Sequence, residues 1–596
     1  MDILRRILAL LTPPEKRRGF LLLLATMMMV VIELAGIGAI ASFIALVSDP
    51  DMLARSKWLS ALRGWSGIGG IREFLLVSGI ALFAIFIVRN VFGLYLMWFR
   101  LDYLRKISNS MTHRLLQYYL SRPYEFFLRA NSATLVKNVT AEVNPLITGC
   151  LYSWMMLLSD LAMALAVLGL LVWHDPVITG VAVLCVVGIG GFVPVFTKRR
   201  LLPLGKKNRK LLAAIYKIAN EAIGGAKEIK ILGREAYFLD RFRATLSERE
   251  RTVITYRILS DAPRYLLEML VVGGLLLLVL VVVSASTNYA AVAGTVALFA
   301  TAAYRLIPTG DRILKSIAGL HFNRAILDAL GEGLRPVAAL PARQGETAQP
   351  LPFSSRIALR DVSFRYAGAE TDAVSHLSLE VPCNRSVAFV GPTGAGKTTL
   401  VDLIIGLLAP SAGGIEIDGV ALTDANRRAW QLNVGYVPQH VFLLDDTVRR
   451  NIAIGIADAD IDDAALREAA RMAHVEEFVA SLPSGFDTVI GERGVRLSGG
   501  QRQRIGIARA LYRRAKVLVL DEATSALDGI TESVIEQAIS ELAGKITVVI
   551  IAHRLTTVRR CEQIFLMESG RIVASGNYDL LMRDNATFRA MARAAE

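Results

Sequence analysis

The stretch Gly391-Pro-Thr-Gly-Ala-Gly-Lys-Thr398 has the pattern G-x-x-x-x-G-K-[ST] of a phosphate-binding loop, and it decides how the rest of the chain is interpreted. An apolar run at 386–390 precedes it with the character of a strand, and a helix-like run at 399–408 follows. In such a loop the backbone N–H groups surround a phosphate, the lysine contacts the β- and γ-phosphates, and the last hydroxyl coordinates Mg²⁺. The alternative, a glycine-rich turn that carries a lysine by chance, leaves both flanking elements unexplained. The predicted nucleotide-contacting residues are Gly391, Pro392, Thr393, Gly394, Ala395, Gly396, Lys397, Thr398 and Thr399.

Length and composition indicate that much of the chain lies in a membrane. The 596 residues are too many for one domain, and 53% of them are hydrophobic, which is more than a soluble enzyme needs. The net charge of +14 could indicate nucleic acid, but basic residues also concentrate in the cytoplasmic loops of membrane proteins. We therefore predict a membrane protein that binds no nucleic acid. The cysteines are far apart, without metal or disulfide spacing, and they are Cys150, Cys185, Cys383 and Cys561.

Six apolar stretches before residue 315 are long enough to cross a bilayer. They cover about 20–47, 74–99, 146–173, 176–197, 264–285 and 288–310. Lysine and arginine collect in the two long links, at about 100–145 and 198–257, whereas the short links 173–175 and 284–288 carry neither. This asymmetry places both long links and both termini in the cytoplasm, where the links extend the spans as long helices.

The ends of this membrane domain, which we assign to residues 1–330, carry three further predictions. Residues 1–20 have apolar residues at helical spacing and then a basic cluster, which is typical of an interfacial amphipathic helix; a signal peptide is the alternative. The first outer loop, 48–73, is predicted either as a helix on the membrane surface or as an ordered loop. The Gly-, Pro- and Ala-containing residues 331–350 are predicted to link the membrane domain to a nucleotide domain at 351–596.

A second buried strand is predicted in the nucleotide domain, and it ends in two acidic residues. The run from Lys516 to Glu522 reads K-V-L-V-L-D-E. A carboxylate at the end of such a strand can hold Mg²⁺ directly or through water, and a second one can orient the attacking water. A lone Asp-Glu pair is common where a strand ends, so the functional interpretation depends on the phosphate-binding loop in the same domain.

A glycine-rich segment, Leu497-Ser-Gly-Gly-Gln501, lies between the phosphate-binding loop and this acidic strand end. It precedes a helix-like run at 502–513. As the start of a helix it suits an anion. These five residues match the signature of ATP-binding cassette (ABC) proteins, and the other family motifs occur in the expected order. The resemblance covers the whole chain, because six spans followed by one cassette is the plan of an ABC exporter half-transporter. It implies a six-span α-helical membrane domain followed by an α/β P-loop NTPase domain that hydrolyses ATP with Mg²⁺.

The resemblance also implies roles for single residues of the cassette. Tyr366 resembles the aromatic residue that stacks on adenine, and Gln439 resembles the loop glutamine that contacts Mg²⁺ and the attacking water. Asp521 is similar to the aspartate that binds Mg²⁺. Glu522 resembles the general base, and His553 resembles the switch histidine at the γ-phosphate. The expected metal ligands are therefore Thr398, Gln439 and Asp521, and the expected catalytic residues are Glu522, His553 and Gln439.

One chain carries one phosphate-binding loop and one signature. In the ABC family the signature of one cassette closes over ATP that is bound to the other, so the resemblance implies a homodimer with two equivalent ATP sites. Short cytoplasmic helices near 121–129 and 233–242 are expected to pass cassette closure to the spans. The signature residues that are expected to contact ATP are Ser498, Gly499, Gly500 and Gln501.

Three arginines, Arg89, Arg264 and Arg305, lie in or at the edge of apolar spans, where a charge is costly unless it faces a cavity or a partner. Counted from the outer ends, all three fall near the inner leaflet, and a dimer would present six guanidiniums suited to a phosphate or pyrophosphate. Internal pairing is the equally supported alternative, and the candidate partners are Glu33, Glu268 and Asp311. With the segment 304–308 and the outer loop, this placement resembles lipid-linked oligosaccharide flippases. The resemblance implies transfer of a polyprenyl-pyrophosphate glycan to the outer leaflet of a bacterial plasma membrane.

Rival functions remain open on these grounds. An ABC exporter of a peptide, a drug or another lipid keeps the same machinery and changes the cargo. A cassette ATPase that remodels nucleic acid would account for the basic charge, but six spans argue against it. An ATP-gated channel would conduct continuously under voltage, whereas a pump ties transport to hydrolysis.

Overall fold

Two compact units make up the chain in the computed structural model. One unit contains Met1–Arg122 and Phe126–Leu340, and the other contains Pro123–Glu125 and Pro341–Glu596. The residues that the structure describes are 2–48, 70–174, 176–285, 289–334, 349–521, 537, 541–542, 544–552 and 558–595. Within these ranges the first unit is helical and the second combines helices with two sheets. The predicted fold class is confirmed.

Long continuous helices dominate the first unit, because several spans run on into their polar extensions. A helix of 50 residues, such as the one that begins at Ile71, is about 75 Å long. The helices are α1 (Asp2–Leu10), α2 (Pro13–Ser48), α3 (Ile71–Leu120), α4 (Tyr124–Arg129), α5 (Ser132–Lys137), α6 (Val143–Leu146), α7 (Ser153–His174), α8 (Pro176–Gly224), α9 (Ala226–Leu232), α10 (Glu235–Ala285) and α11 (Tyr289–Leu334). Two π-helical segments, Asn138–Glu142 and Ile147–Tyr152, lie on either side of α6.

Three helical stretches among the described residues have the length and hydropathy to cross a membrane, and they are Pro13–Ile40, Ile71–Leu120 and Ser132–Trp173. The other predicted spans, 176–197, 264–285 and 288–310, coincide with parts of α8, α10 and α11. The predicted surface helix of the outer loop lies outside the described residues except for its ends. The linker predicted at 331–350 begins inside α11, which continues to Leu334, and residues 335–348 are not among those described.

The amphipathic helix α1 buries much of its apolar face in protein. Ile7, Leu10 and Leu11 are buried in the same hydrophobic cluster as Leu327 and Leu330 of α11. An ion pair of 2.6 Å between Arg6 and Asp328 joins the same two helices. Leu8 is exposed. Protein contacts therefore hold α1 in place, and its predicted location at the membrane surface stays a prediction.

One close contact between helix backbones in the first unit requires a glycine. A Cβ atom added to Gly205 of α8 would lie 1.9 Å from the carbonyl oxygen of Phe322 in α11. No side chain fits in that space, so the two helix backbones approach each other only because residue 205 is glycine.

The described residues of the second unit form ten strands and eight α-helices. The strands are β1 (Arg356–Phe364), β2 (Val374–Pro382), β3 (Ser386–Val390), β4 (Ala412–Ile417), β5 (Val420–Ala421), β6 (Val434–Val437), β7 (Val517–Asp521), β8 (Thr547–Ile551), β9 (Gln563–Glu568) and β10 (Arg571–Gly576). The helices are α12 (Lys397–Ile404), α13 (Arg427–Gln431), α14 (Val448–Ile452), α15 (Asp463–Met472), α16 (Glu476–Val479), α17 (Gly499–Tyr512), α18 (Tyr578–Asp584) and α19 (Ala586–Ala595). The runs predicted as strands at 386–390 and 547–551 are confirmed as β3 and β8, and β7 covers Val517–Asp521 of the run predicted at 516–522.

Sheet topology places the predicted functional segments at one edge. Four strands form an antiparallel sheet in the order β2-β1-β4-β5, and six form a second sheet in the order β10-β9-β3-β8-β7-β6. In the second sheet β9, β3, β8, β7 and β6 are parallel. Strands β7 and β8 are buried along their whole length, which explains their uninterrupted apolar sequence. The carboxyl ends of parallel strands meet at one edge, where open α/β sheets bind their ligands.

Candidate nucleotide site and membrane arginine cluster

The phosphate-binding loop follows β3 and ends at the first turn of α12, as predicted. Two of its glycines have no room for a side chain. A Cβ atom would lie 2.1 Å from the carbonyl oxygen of Met567 at Gly391, and 2.3 Å from that of Ala373 at Gly396. Both glycines also have positive φ angles, 151° and 94°. The glycine positions of the pattern therefore serve backbone packing as well as access for a phosphate.

Lys397 holds its ammonium group inside the loop. The side chain is buried, and Nζ donates hydrogen bonds to the carbonyl oxygens of Gly391 at 2.8 Å and Pro392 at 3.0 Å. A buried lysine needs such partners, because desolvation of its charge is costly. The hydrogen bonds keep the cation at the loop backbone, where the phosphate oxygens of a nucleotide are expected to bind.

Tyr366, the predicted adenine-stacking residue, is adjacent to the phosphate-binding loop. Its hydroxyl lies 3.1 Å from the hydroxyl of Thr399 in the first turn of α12. Its ring packs edge-on against Phe364, with the centroids 4.9 Å apart. Two residues predicted to contact one nucleotide are thus brought together from different parts of the chain. The stacking role itself stays a prediction.

A tyrosine and a second carboxylate accompany Asp521 at the end of β7. The hydroxyl of Tyr436 in β6 donates a hydrogen bond of 3.1 Å to Oδ2 of the buried Asp521. Burial, and then the negative charge of Asp521, raises the pKa of Asp402 in α12 to about 7. Burial and the same charge raise the pKa of Tyr436 above its usual value. Sequence reasoning missed both neighbours, because only strand order shows that β6 and α12 border Asp521.

The residues expected to hold Mg²⁺ offer suitable donors. Asp521 supplies a carboxylate and Thr398 an exposed hydroxyl at the start of α12, and Mg²⁺ prefers hard oxygen ligands of this kind. Gln439 is exposed two residues beyond β6 and lines a cleft of about 440 Å³ with Phe442 and Gln503. The donor set therefore fits a magnesium ion bound with a nucleotide. In that site Mg²⁺ would neutralise phosphate charge.

The signature segment forms a capped helix start. Ser498 is the N-cap of α17; its hydroxyl accepts from the N–H of Gln501 at 3.2 Å, and the Gln501 side chain accepts from the N–H of Ser498 at 2.8 Å. This reciprocal capping box orients the start of the helix. Gly499 and Gly500 form the first turn. Two other predicted catalytic residues lie outside the described residues. In the sequence, Glu522 directly follows β7, and His553 is two residues beyond the end of β8.

The first unit brings together two of the three predicted substrate arginines. Arg89 of α3 lies 2.5 Å from Oε1 of Glu33 in α2, and Arg305 of α11 lies 3.5 Å from the same oxygen. Arg264 is exposed on α10, as is Glu268, and these two form no ion pair recorded among the described side chains. Asp311 pairs with Lys315 at 3.0 Å. Of the pairings considered from the sequence, the structure thus contains those of Glu33 with Arg89 and Arg305.

The segments expected to act as short cytoplasmic helices differ from each other. The first corresponds to α4, a six-residue helix. At the second, Gly233 ends α9 with a left-handed conformation, φ 61°, and the long helix α10 begins at Glu235. The short helix in this region is therefore α9, which precedes the predicted position.

Comparisons with known proteins agree with this architecture. The family model of the ABC transporter matches residues 374–525, and that of the ABC transporter transmembrane region matches residues 20–301. An ATP-dependent lipid A-core flippase of Thiobacillus denitrificans is 33% identical over 474 residues, which cover 78% of this chain and 79% of the relative. Another ATP-dependent lipid A-core flippase, of Dechloromonas aromatica, is 31% identical over 563 residues, which cover 92% of this chain and 93% of the relative.

A solved structure extends the comparison to the fold. The structure of a bacterial Atm1-family ABC exporter with ATP bound matches with a TM-score of 0.77 over 98% of each chain, at 22% sequence identity. The sequence matches cover the membrane region and the cassette, and the structural match covers almost the whole length. The chain therefore belongs to the ABC transporter family, as a half-transporter that joins an exporter-type membrane domain to one ATP-hydrolysing cassette.

Proposed function

We propose that this half-transporter acts as a homodimer that flips a polyprenyl-pyrophosphate-linked oligosaccharide from the inner to the outer leaflet of a bacterial plasma membrane. The observation that carries the cargo assignment is the convergence of Arg89 and Arg305 on one oxygen of Glu33. Charged residues within apolar spans are costly, and they commonly mark a substrate pathway. Guanidinium groups that converge on one oxygen suit a phosphate.

The relatives support a lipid cargo. They are named as flippases of lipid A-core, so a lipid A-core molecule is the second candidate for this chain. Both candidates use the same ATP-driven machinery and differ in the lipid that stimulates it. A peptide or drug cargo remains the alternative if neither lipid does so.

The homodimer follows from the contents of one chain. Each chain supplies one phosphate-binding loop and one signature start at Ser498, and a cassette pair completes two sites when the signature of each partner closes over the ATP of the other. Thr398, Gln439 and Asp521 would hold Mg²⁺ in each site, and Glu522 with His553 would act on the γ-phosphate. The basic cytoplasmic links support an orientation with both termini in the cytoplasm.

ATP turnover in liposomes tests the cargo. We expect the purified protein to hydrolyse ATP faster when polyprenyl-pyrophosphate sugars are present, and Arg89→Ala and Arg305→Ala to lose this stimulation while they keep basal hydrolysis. Arg264→Ala shows whether the third arginine contributes, since it is exposed and forms no ion pair with Glu33 among the described side chains. Stimulation by lipid A-core alone would favour the second candidate. No response to either lipid would refute both.

A further inference from the structure

We infer that Glu33 is an internal counter-ion that occupies the anion position between Arg89 and Arg305 until a phosphate group of the cargo lipid displaces it. This inference rests on the proposed function and adds a residue that controls the affinity of the site. It combines the two interpretations that the sequence offers as alternatives, because the pairing partner and the anion would use the same guanidinium groups in turn.

The three residues come from three helices, α2, α3 and α11. Both guanidiniums approach a single carboxylate oxygen, Oε1 of Glu33, at 2.5 Å from Arg89 and 3.5 Å from Arg305. Arg305 makes no hydrogen bond to Glu33 that the structure records, so its contact is electrostatic. An oxygen held between two guanidiniums has the environment that arginines provide for a phosphate oxygen.

The charges of the cluster do not balance. Two arginines and one glutamate leave a net charge of +1 on the three paired side chains. In addition, Nε of Arg89 is buried and has no hydrogen-bond partner among the described residues. A phosphate or pyrophosphate carries more negative charge and more acceptor oxygens than one carboxylate, so it can satisfy both arginines more fully.

The cluster is open enough for exchange. The side chains of Arg89, Glu33 and Arg305 are 12%, 20% and 27% exposed, so the ion pair is shielded but not sealed. Without cargo, Glu33 lowers the cost of two arginines in an apolar environment. With cargo, it competes for them. The bound lipid must therefore offset the loss of the Glu33 ion pairs.

A second ion pair in the same unit provides the matched control. Asp160 of α7 pairs with Arg312 of α11 at 2.8 Å, and the Asp160 side chain is only 4% exposed. This carboxylate is enclosed and forms no ion pair with Arg89 or Arg305 among the described residues, although its charge and that of Glu33 repel each other through space. Loss of its charge removes no direct contact with either arginine of the Glu33 cluster, so any gain in anion affinity should be much smaller than that of Glu33→Gln.

The experiment measures binding of two lipids that differ only in the anionic group, undecaprenyl pyrophosphate and undecaprenol. The full-length protein in nanodiscs is titrated with each radiolabelled lipid, for wild type and for Glu33→Gln, Asp160→Asn and Arg89→Ala. We expect Glu33→Gln to bind undecaprenyl pyrophosphate about tenfold more tightly than wild type, with undecaprenol binding unchanged. Asp160→Asn should show no such gain, and Arg89→Ala should lose the preference for pyrophosphate.

The experiment distinguishes failure of the inference about Glu33 from failure of the proposed cargo. If Glu33→Gln binds undecaprenyl pyrophosphate with unchanged or lower affinity while wild type prefers it to undecaprenol, Glu33 is only a structural partner and the inference is wrong. If wild type binds both lipids equally and Arg89→Ala has no effect, the proposed cargo is wrong as well. Should Glu33→Gln not fold, Glu33→Asp serves the same purpose. Its shorter carboxylate reaches the arginines less well, so a smaller gain in affinity is expected, and no gain overturns the inference.

Discussion

Removal of the Tyr436 hydroxyl tests whether the position of Asp521 depends on its neighbour in β6. Tyr436→Phe keeps the aromatic ring and deletes the O–H that donates to Asp521 at 3.1 Å. A hydrogen bond to a charged group contributes about 1.5–3 kcal/mol. Because the tyrosine is only half-buried, water replaces part of the bond, and we take the lower value of about 1.5 kcal/mol. That value corresponds to about a tenfold change in an equilibrium constant.

The expected effect falls on Mg²⁺ rather than on the nucleotide. Residues that orient a metal ligand typically change metal affinity by about 10- to 100-fold when they are substituted. If Asp521 holds Mg²⁺, Tyr436→Phe should raise the Mg²⁺ concentration for half-maximal ATP hydrolysis about tenfold. Binding of a fluorescent ATP analogue in EDTA should be unchanged. Binding of Mn²⁺ with nucleotide, followed by electron paramagnetic resonance, should weaken by a similar factor.

The matched control is another tyrosine of the same unit. The hydroxyl of Tyr512 accepts a hydrogen bond of 3.0 Å from the N–H of Asp462, away from Asp521. Tyr512→Phe should leave the Mg²⁺ dependence unchanged. The reasoning about Tyr436 is refuted if Tyr436→Phe has the Mg²⁺ dependence of wild type, or if metal-free nucleotide binding falls as much as Mn²⁺ binding.

Three other predictions concern catalysis, packing and thiol chemistry. Glu522→Gln should bind ATP normally and hydrolyse it orders of magnitude more slowly; near-normal turnover would remove Glu522 from the role of base. Gly205→Ala should lower the thermal unfolding midpoint in detergent, since its Cβ atom would lie 1.9 Å from a carbonyl oxygen. The control, Gly180→Ala in the same helix, places its Cβ atom with no described atom within 4 Å and should leave the midpoint unchanged. Equal midpoints for the two variants would contradict the packing argument. Burial, and then Glu562, raises the pKa of Cys561 to about 12, so its thiol stays protonated at neutral pH. Mass spectrometry should therefore show that N-ethylmaleimide alkylates Cys561 more slowly than the more accessible Cys383. Equal alkylation rates would contradict this prediction.

Much of the cassette could be predicted because its signals are local. The phosphate-binding loop needs glycines at Gly391 and Gly396 for backbone reasons, and these appear as a pattern of eight consecutive residues. Strands β7 and β8 are recognisable because burial on both faces makes their sequences continuously apolar. The spans are similarly visible from length and hydropathy. These features depend on a residue and its immediate neighbours.

The sequence by itself therefore determined the family, the order of the two domains, the position of the nucleotide site and the presence of arginines in apolar spans. Tertiary structure alone decided which groups meet: Glu33 with Arg89, 56 residues apart, and Tyr436 with Asp521, 85 residues apart. The physical reason is that side-chain pairing depends on helix rotation and strand order. These are set by packing over the whole unit, and no local period of the sequence encodes them.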